Sequence, residues 1–248
     1  MGKIFSLNHW KNRKTAFLGD SITDADHIGT TKNYWQFLEE ILEIKPLVYG
    51  INGSTFVDIP VQAERLFNEH DSDVDAVIVF AGTNDYCSGT ALGEWYTYSD
   101  AMVNSNGMEV IRRKRELIYD VNTFRGRINI AMKYLKEHFP YSQIILLTML
   151  HRGNAEFSAS NIQPAECYAN ACGFFADSYV EVIKEAGNIW AVPVIDLNSL
   201  SGLYPMLDVH GSYFSNIHTD RLHPEISGHK RIAETLVYQL LSLPATFR

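Results

Sequence analysis

Ser21, in the run Gly19-Asp20-Ser21-Ile22, carries a hydroxyl that becomes a nucleophile only if a base takes its proton. Asp220-Arg221-Leu222-His223-Pro224, near the far end of the chain, offers such a base. An aspartate three residues before a histidine can reach Nδ1 on one turn, fix the tautomer and leave Nε2 free. Two further blocks hold hydrogen-bond donors of the kind that stabilise an oxyanion during acyl transfer. Asn84, in Gly82-Thr83-Asn84-Asp85, has a side-chain amide, and Gly53, in Ile51-Asn52-Gly53-Ser54-Thr55, has a backbone NH that no Cβ shields. Each block also has an ordinary structural use. Ser21 could cap a helix, Asp220 could cap the segment before Pro224, and the other two could be plain turns.

The elements around these blocks decide whether they meet. Lys14–Gly19, Leu47–Ile51, Asp75–Ala81, Gln143–Met149 and Val192–Ile195 are short apolar runs without polar alternation, the pattern of strands covered on both faces. Between them, helical spacing of apolar residues predicts helices over Tyr34–Ile44, Val61–Phe67, about Val121 to His138, and Ala165–Ala186, closed by Gly187. A last helix is predicted over His229–Leu241. Strands alternating with helices give parallel βαβ units and an α/β fold, a three-layer α/β/α sandwich. The serine, the glycine, the asparagine and the Asp/His pair follow the first, second, third and fifth strands. All four therefore fall at the carboxyl edge of one sheet, where ligands bind.

No repeat, low-complexity tract or Pro/Gly-rich linker divides the 248 residues, so a single domain over 1–248 is expected. Two connections are long, 86–117 and 197–219, and long connections in compact α/β domains usually carry function. The first holds Trp95, Tyr96 and Tyr98 and the basic run Arg112-Arg113-Lys114-Arg115, which reads as a solvated helix face or as a contact for an anionic substrate. With Tyr204, Tyr213 and Phe214 in the second, these aromatics could stack on sugar rings. The two connections are therefore expected to build the substrate pocket.

A 46% apolar composition supports a real core, and 12% aromatics argue against disorder. The net charge of −8 argues against a general nucleic-acid or anionic-membrane binder. Cys87, Cys167 and Cys172 form no CxxC pair, which fits a reduced compartment. The expected location is cytoplasmic, because no apolar signal-peptide core and no membrane-spanning run is seen. Met1 to Ser6 fits a myristoylation pattern and Asn52-Gly53-Ser54 a glycosylation sequon; both are read as chance matches. His218-x-Asp220-x-x-His223 lacks the further ligands of a metal site, and no GxGxxG or GxxxxGK[ST] loop is present for a nucleotide.

In order and spacing, the four blocks resemble those of the SGNH (GDSL-type) hydrolases, a superfamily of esterases and lipases, from about residue 15 to about residue 240. The resemblance implies a flavodoxin-like five-stranded parallel sheet in the order 2-1-3-4-5. It implies Ser21 as nucleophile, His223 as general base and Asp220 as its orienting partner, with Ser21 NH, Gly53 NH and the Asn84 side chain as the oxyanion hole. No metal or organic cofactor is implied. Ile22 stands where the name-giving pattern has Leu, and Val48-Tyr49-Gly50-Ile51-Asn52-Gly53 stands where N-x-G-x-S-G is usual, with Gly53 in register. Expected substrates are small-molecule or carbohydrate esters of short acyl groups. The alternatives are a lysophospholipase or thioesterase, and a noncatalytic binding protein on the same fold.

Overall fold

A computed structural model describes residues 8–248, so the Met1–Ser6 pattern lies outside the described residues. In chain order the first half contains β1 (Lys14–Gly19), α1 (Tyr34–Leu42), β2 (Lys45–Val48), α2 (Ile59–His70), β3 (Ala76–Phe80) and α3 (Thr83–Cys87). There follow β4 (Tyr96–Ser105), β5 (Met108–Leu117), α4 (Phe124–His138), β6 (Gln143–Leu147), β7 (Ala155–Ser158) and β8 (Asn161–Gln163). The chain closes with α5 (Ala176–Trp190), β9 (Val194–Ile195), α6 (Leu197–Leu200), a 3-10 turn at Asp208–Tyr213, β10 (Phe214–Asn216), β11 (Asp220–Pro224) and α7 (Ile226–Leu241).

The main sheet is parallel, in the order β2-β1-β3-β6-β9, which is 2-1-3-4-5 when only its own strands are numbered. All five residues of β3 and of β6 are buried. Their alternation feeds two cores. Ala16, Leu18, Val77, Val79, Ile144 and Leu146 pack under α2, α4 and α5. Phe17, Ala76, Ile78, Phe80, Ile145 and Leu147 pack under α1 and α7. Both faces of each strand are dry, which is why the sequence shows apolar runs and no alternation. Among the described residues no helix is long and apolar enough to cross a membrane.

The structure departs from the sequence-based elements at several places. Strand β2 starts earlier than expected and includes Pro46, which a sheet edge tolerates because its unpaired side needs no donor. Helix α5 begins at Ala176 rather than Ala165. Upstream, the Asn170 side chain accepts from Cys172 N at 3.0 Å and Phe174 N at 3.1 Å, a local turn that competes with helix. Nor does Gly187 end that helix. A Cβ there would stand 2.6 Å from Val194 Cγ2, so the glycine lets α5 lie close on β9, and the left-handed Ala191 terminates the helix instead.

Of the two long connections, the first is largely the hairpin β4–β5, turned by Asn106 and Gly107, both at positive φ. The second supplies α6, the 3-10 turn and β10. Strand β10 joins a small antiparallel sheet, β10-β11-β7-β8, that the sequence pattern did not signal. Asp220 and His223 therefore lie on the irregular strand β11, not on a single turn before the last helix.

Candidate active site

Strand β1 delivers the chain to Gly19, whose NH donates to Gln62 Oε1 and whose carbonyl accepts from Gln62 Nε2, each at 2.8 Å. The Asp20 carbonyl then accepts from Thr23 N and Asp24 N, both at 3.0 Å, and this tight turn lifts Ser21 off the strand end. His223 Nε2 lies 2.9 Å from Ser21 Oγ, across 202 residues of sequence. On the other side of the ring, His223 Nδ1 lies 3.0 Å from Asp220 Oδ2. All three residues are buried, with exposures of 4%, 4% and 9% for Ser21, His223 and Asp220.

Asp220 Oδ1 also accepts from His223 N at 3.0 Å and Leu222 N at 3.1 Å, so β11 is wrapped around this carboxylate. Burial works against the ionised form, but the hydrogen bonds from His223 and Leu222 outweigh it and hold the carboxyl below its usual range. An anion beside Nδ1 keeps the proton on that nitrogen and leaves Nε2 to accept from the serine. Phe157 covers the imidazole, with ring centroids 5.4 Å apart.

The donor-bearing loops are stitched to one another and to the serine turn. Asn84 Nδ2 donates one hydrogen to Ser54 O at 2.9 Å, leaving its second free. Asp85, fully buried, accepts from Phe56 N at 2.9 Å and Arg127 Nη1 at 2.7 Å, which ties α3 to the loop after β2. Asp24 Oδ2 accepts from Asn52 N at 2.6 Å and fixes the residue before Gly53. Gly53 has φ +80° and open space where a Cβ would be, so backbone conformation rather than crowding calls for glycine. Neither Ser21 N nor Gly53 N donates to an acceptor among the described residues.

A cavity of about 430 Å³ brings Ser21, Asn52, Gly53, Asn84 and His223 together with Ile28, Phe157, Asn161, Gln163 and Leu222. All five residue positions inferred from the sequence are thus at one place, except that Asp220 stands behind His223 rather than in the cavity wall. The expected wall is corrected. Trp95, Tyr96, Tyr98, Tyr204, Tyr213 and Phe214 do not line this cavity. Trp95 instead turns inward and donates to Glu185 at 2.7 Å. Arg112 to Arg115 lie exposed on strand β5 of the hairpin, not on a helix, and none of them lines this cavity.

The wall comes from the β7–β8 hairpin, through Phe157, Asn161 and Gln163. Arg152 holds that hairpin in place. Its buried guanidinium donates to Gln163 Oε1 at 2.8 Å and Thr83 Oγ1 at 3.1 Å, and also contacts Cys87 Sγ. No single-sequence signal marks Arg152, Gln62 or Asp24, because each acts on groups distant in sequence.

Asp20, beside the serine, is buried against a cavity of about 10 Å³ shared with Thr83, His151 and Arg152. Burial pushes its carboxyl up to about 7, against the backbone hydrogen bond from Ile22 and the nearby His223. The folded state therefore binds this proton from about pH 4 to about pH 7 where the unfolded state does not, and stability falls as pH rises through that window. Asp20→Asn is expected to flatten this dependence by an amount on the order of a few kcal/mol, read from urea unfolding at about pH 4 and about pH 8. An unchanged slope would place the titration elsewhere.

A doubly covered parallel sheet bearing a Ser–His–Asp chain at its carboxyl edge defines the class of protein. Residues 17–231 match the model of the GDSL-like Lipase/Acylhydrolase family, and the chain belongs to that family. It is a carboxylic ester hydrolase by class. Among solved structures it is similar to a protein of Lactobacillus plantarum, at 24% identity and TM-score 0.74, covering 94% of this chain and 98% of that one. A possible lipase from Chitinophaga pinensis shares 22% identity at TM-score 0.67, with 92% and 99% covered. An acetyl xylan esterase from Geobacillus stearothermophilus shares 18% identity at TM-score 0.56, with 93% and 95% covered. Catalytic mutants of that esterase with a serine, an aspartate or a histidine changed to alanine are also among the similar structures. No curated protein matches the chain significantly in sequence.

Proposed function

We propose that this chain, as a single hydrolase domain, cleaves short-acyl, acetyl-type esters of carbohydrates or other small alcohols through an acyl-enzyme on Ser21. The observation that carries the reading is the continuous chain Asp220–His223–Ser21, at 3.0 Å and 2.9 Å. His223 Nε2 takes the Ser21 proton as Oγ attacks the ester carbonyl. The tetrahedral oxyanion is held by Ser21 NH, Gly53 NH and the free Asn84 N–H. Collapse expels the alcohol, which takes the proton from His223, and water repeats the cycle to release the acid. These steps need no metal or organic cofactor.

Support for a carbohydrate ester is the polar wall of Asn52, Asn161 and Gln163 beside one exposed ring, Phe157. Likeness to the acetyl xylan esterase adds to it, and that enzyme's catalytic mutants place an aspartate three residues before a histidine, which supports the roles given to Asp220 and His223. A fluorophosphonate is expected to label Ser21, with the adduct located by peptide mass spectrometry. A series of p-nitrophenyl esters should then favour acetate, whereas a preference for acyl chains of about eight carbons would support a lysophospholipase or thioesterase instead. No labelling and no turnover of any ester would leave a binding protein. Asn84→Ala is expected to lower kcat by about 10²- to 10³-fold with little change in KM, because its donor acts where charge develops in the transition state. A rise in KM alone would assign Asn84 to ground-state binding.

A further inference from the structure

The β4–β5 hairpin is an arm of ten residues per strand, about 34 Å long, with not one buried residue in either strand. A lone two-stranded hairpin is marginal in water and needs a further layer to hold it. Exposed apolar side chains crowd its outer half, with Met102 60% and Ile111 64% exposed. Residues paired across the ladder share a face, so one face reads, from stem to tip, Asp100 with Arg113, Met102 with Ile111, and Asn104 with Glu109. The hairpin's own ion pair, Lys114–Glu116, lies on the opposite face. Glu109 and Arg113 have no ion-pair partner among the described residues, and Arg113 stacks over Tyr98 at 4.6 Å, which holds it on its face.

This face is complementary to itself. A two-fold axis across the strands at Met102 and Ile111 reverses one arm on another and keeps β5 over β5. The acid two residues before Ile111 then meets the base two residues after it in the second copy, in both directions. Asp100 likewise meets Asn104, whose amide can donate to it. The apolar pair meets its own copy at the centre and leaves water. We infer that the β4–β5 arm is a homodimerisation element, in which Glu109 and Arg113 of one copy pair reciprocally with Arg113 and Glu109 of a second copy around a Met102/Ile111 centre. The occupant of the face is a second copy of this chain. No residue of the arm lines the Ser21 cavity, so the contact is independent of the ester chemistry.

Sedimentation velocity at micromolar concentration tests this on the whole chain. The native protein is expected to run as a dimer, or as an assembly of an even number of copies. Glu109→Arg and Arg113→Glu each place like charges together twice across the axis, and each should weaken association by about tenfold or more. The double reversal, Glu109→Arg with Arg113→Glu, should restore it, which a merely misfolded arm could not do. All variants should hydrolyse p-nitrophenyl acetate at the native rate. A monomeric native protein would overturn the inference, and so would single reversals that leave association intact or a double reversal that fails to restore it.

Discussion

Ser21→Ala is expected to remove turnover, with kcat falling by about 10⁴- to 10⁶-fold and substrate binding retained. The size of the effect follows from covalent chemistry: alanine offers no atom to carry the acyl group, and His223 then has nothing to deprotonate but water. The structural cost is small, because the serine is buried at the cavity edge and loses one hydrogen bond, to His223 Nε2. Near-native unfolding, intact binding of a substrate and loss of the fluorophosphonate adduct should therefore accompany the loss of rate. A variant that kept most of its esterase activity would move the nucleophile elsewhere. One that lost activity only by unfolding would leave the assignment to the labelling experiment.

Asp220→Asn is the second large effect, a fall in kcat of about 10³- to 10⁴-fold. The carboxylate does two things at once. Oδ2 faces His223 Nδ1, while Oδ1 accepts from two backbone amides of β11. An asparagine can keep the backbone bonds through its oxygen, but it then turns an NH₂ toward Nδ1. That favours the tautomer with hydrogen on Nε2, which cannot accept from Ser21. The charge that stabilises the imidazolium is lost as well. Geometry is preserved while the base is disabled, so KM should change little. Stability carries its own signature. Because the Asp220 carboxyl is held below its ordinary range, its contribution is complete above about pH 4 and is lost as pH falls. The variant should thus lose the acid-sensitive part of native stability, with a smaller difference from the native protein at low pH than at pH 7. A rate near native would show that His223 is oriented by something else.

The carboxyls of the two aspartates nearest Ser21 and His223 are displaced in opposite directions from the usual carboxylate range, for physical reasons that local sequence does not contain. Asp220 accepts three hydrogen bonds, one from a ring that gains positive charge. Asp20, one residue from the serine, is buried with one backbone donor on its side chain, and desolvation wins. In the sequence both are simply an aspartate near a catalytic-type residue.

Much of the fold was legible because burial on both faces of a strand leaves a mark in five consecutive letters. AVIVF at Ala76–Phe80 and QIILL at Gln143–Leu147 admit few other readings. The β4–β5 hairpin was also written in the chain, as Asn106-Gly107, whose two left-handed residues suit a two-residue turn. Flanking strands that are exposed on both faces lack apolar alternation, and that hid it. The β7–β8 hairpin carried no such turn signal. Its strands are short, largely exposed and held by Arg152 from outside.

What the sequence by itself determined about this protein is the set of local facts: which runs become the strands of the main sheet, which turns follow them, and which side chains stand at that sheet's carboxyl edge. Those depend on neighbours within a few residues, where apolar pattern and turn chemistry act directly. Only the tertiary structure decided the distances across 202 residues that turn Ser21 and His223 into a pair, the burial that separates Asp20 from Asp220, and the hairpin that walls the cavity. Those depend on packing between elements, where free energy comes from surfaces meeting rather than from adjacency in the chain.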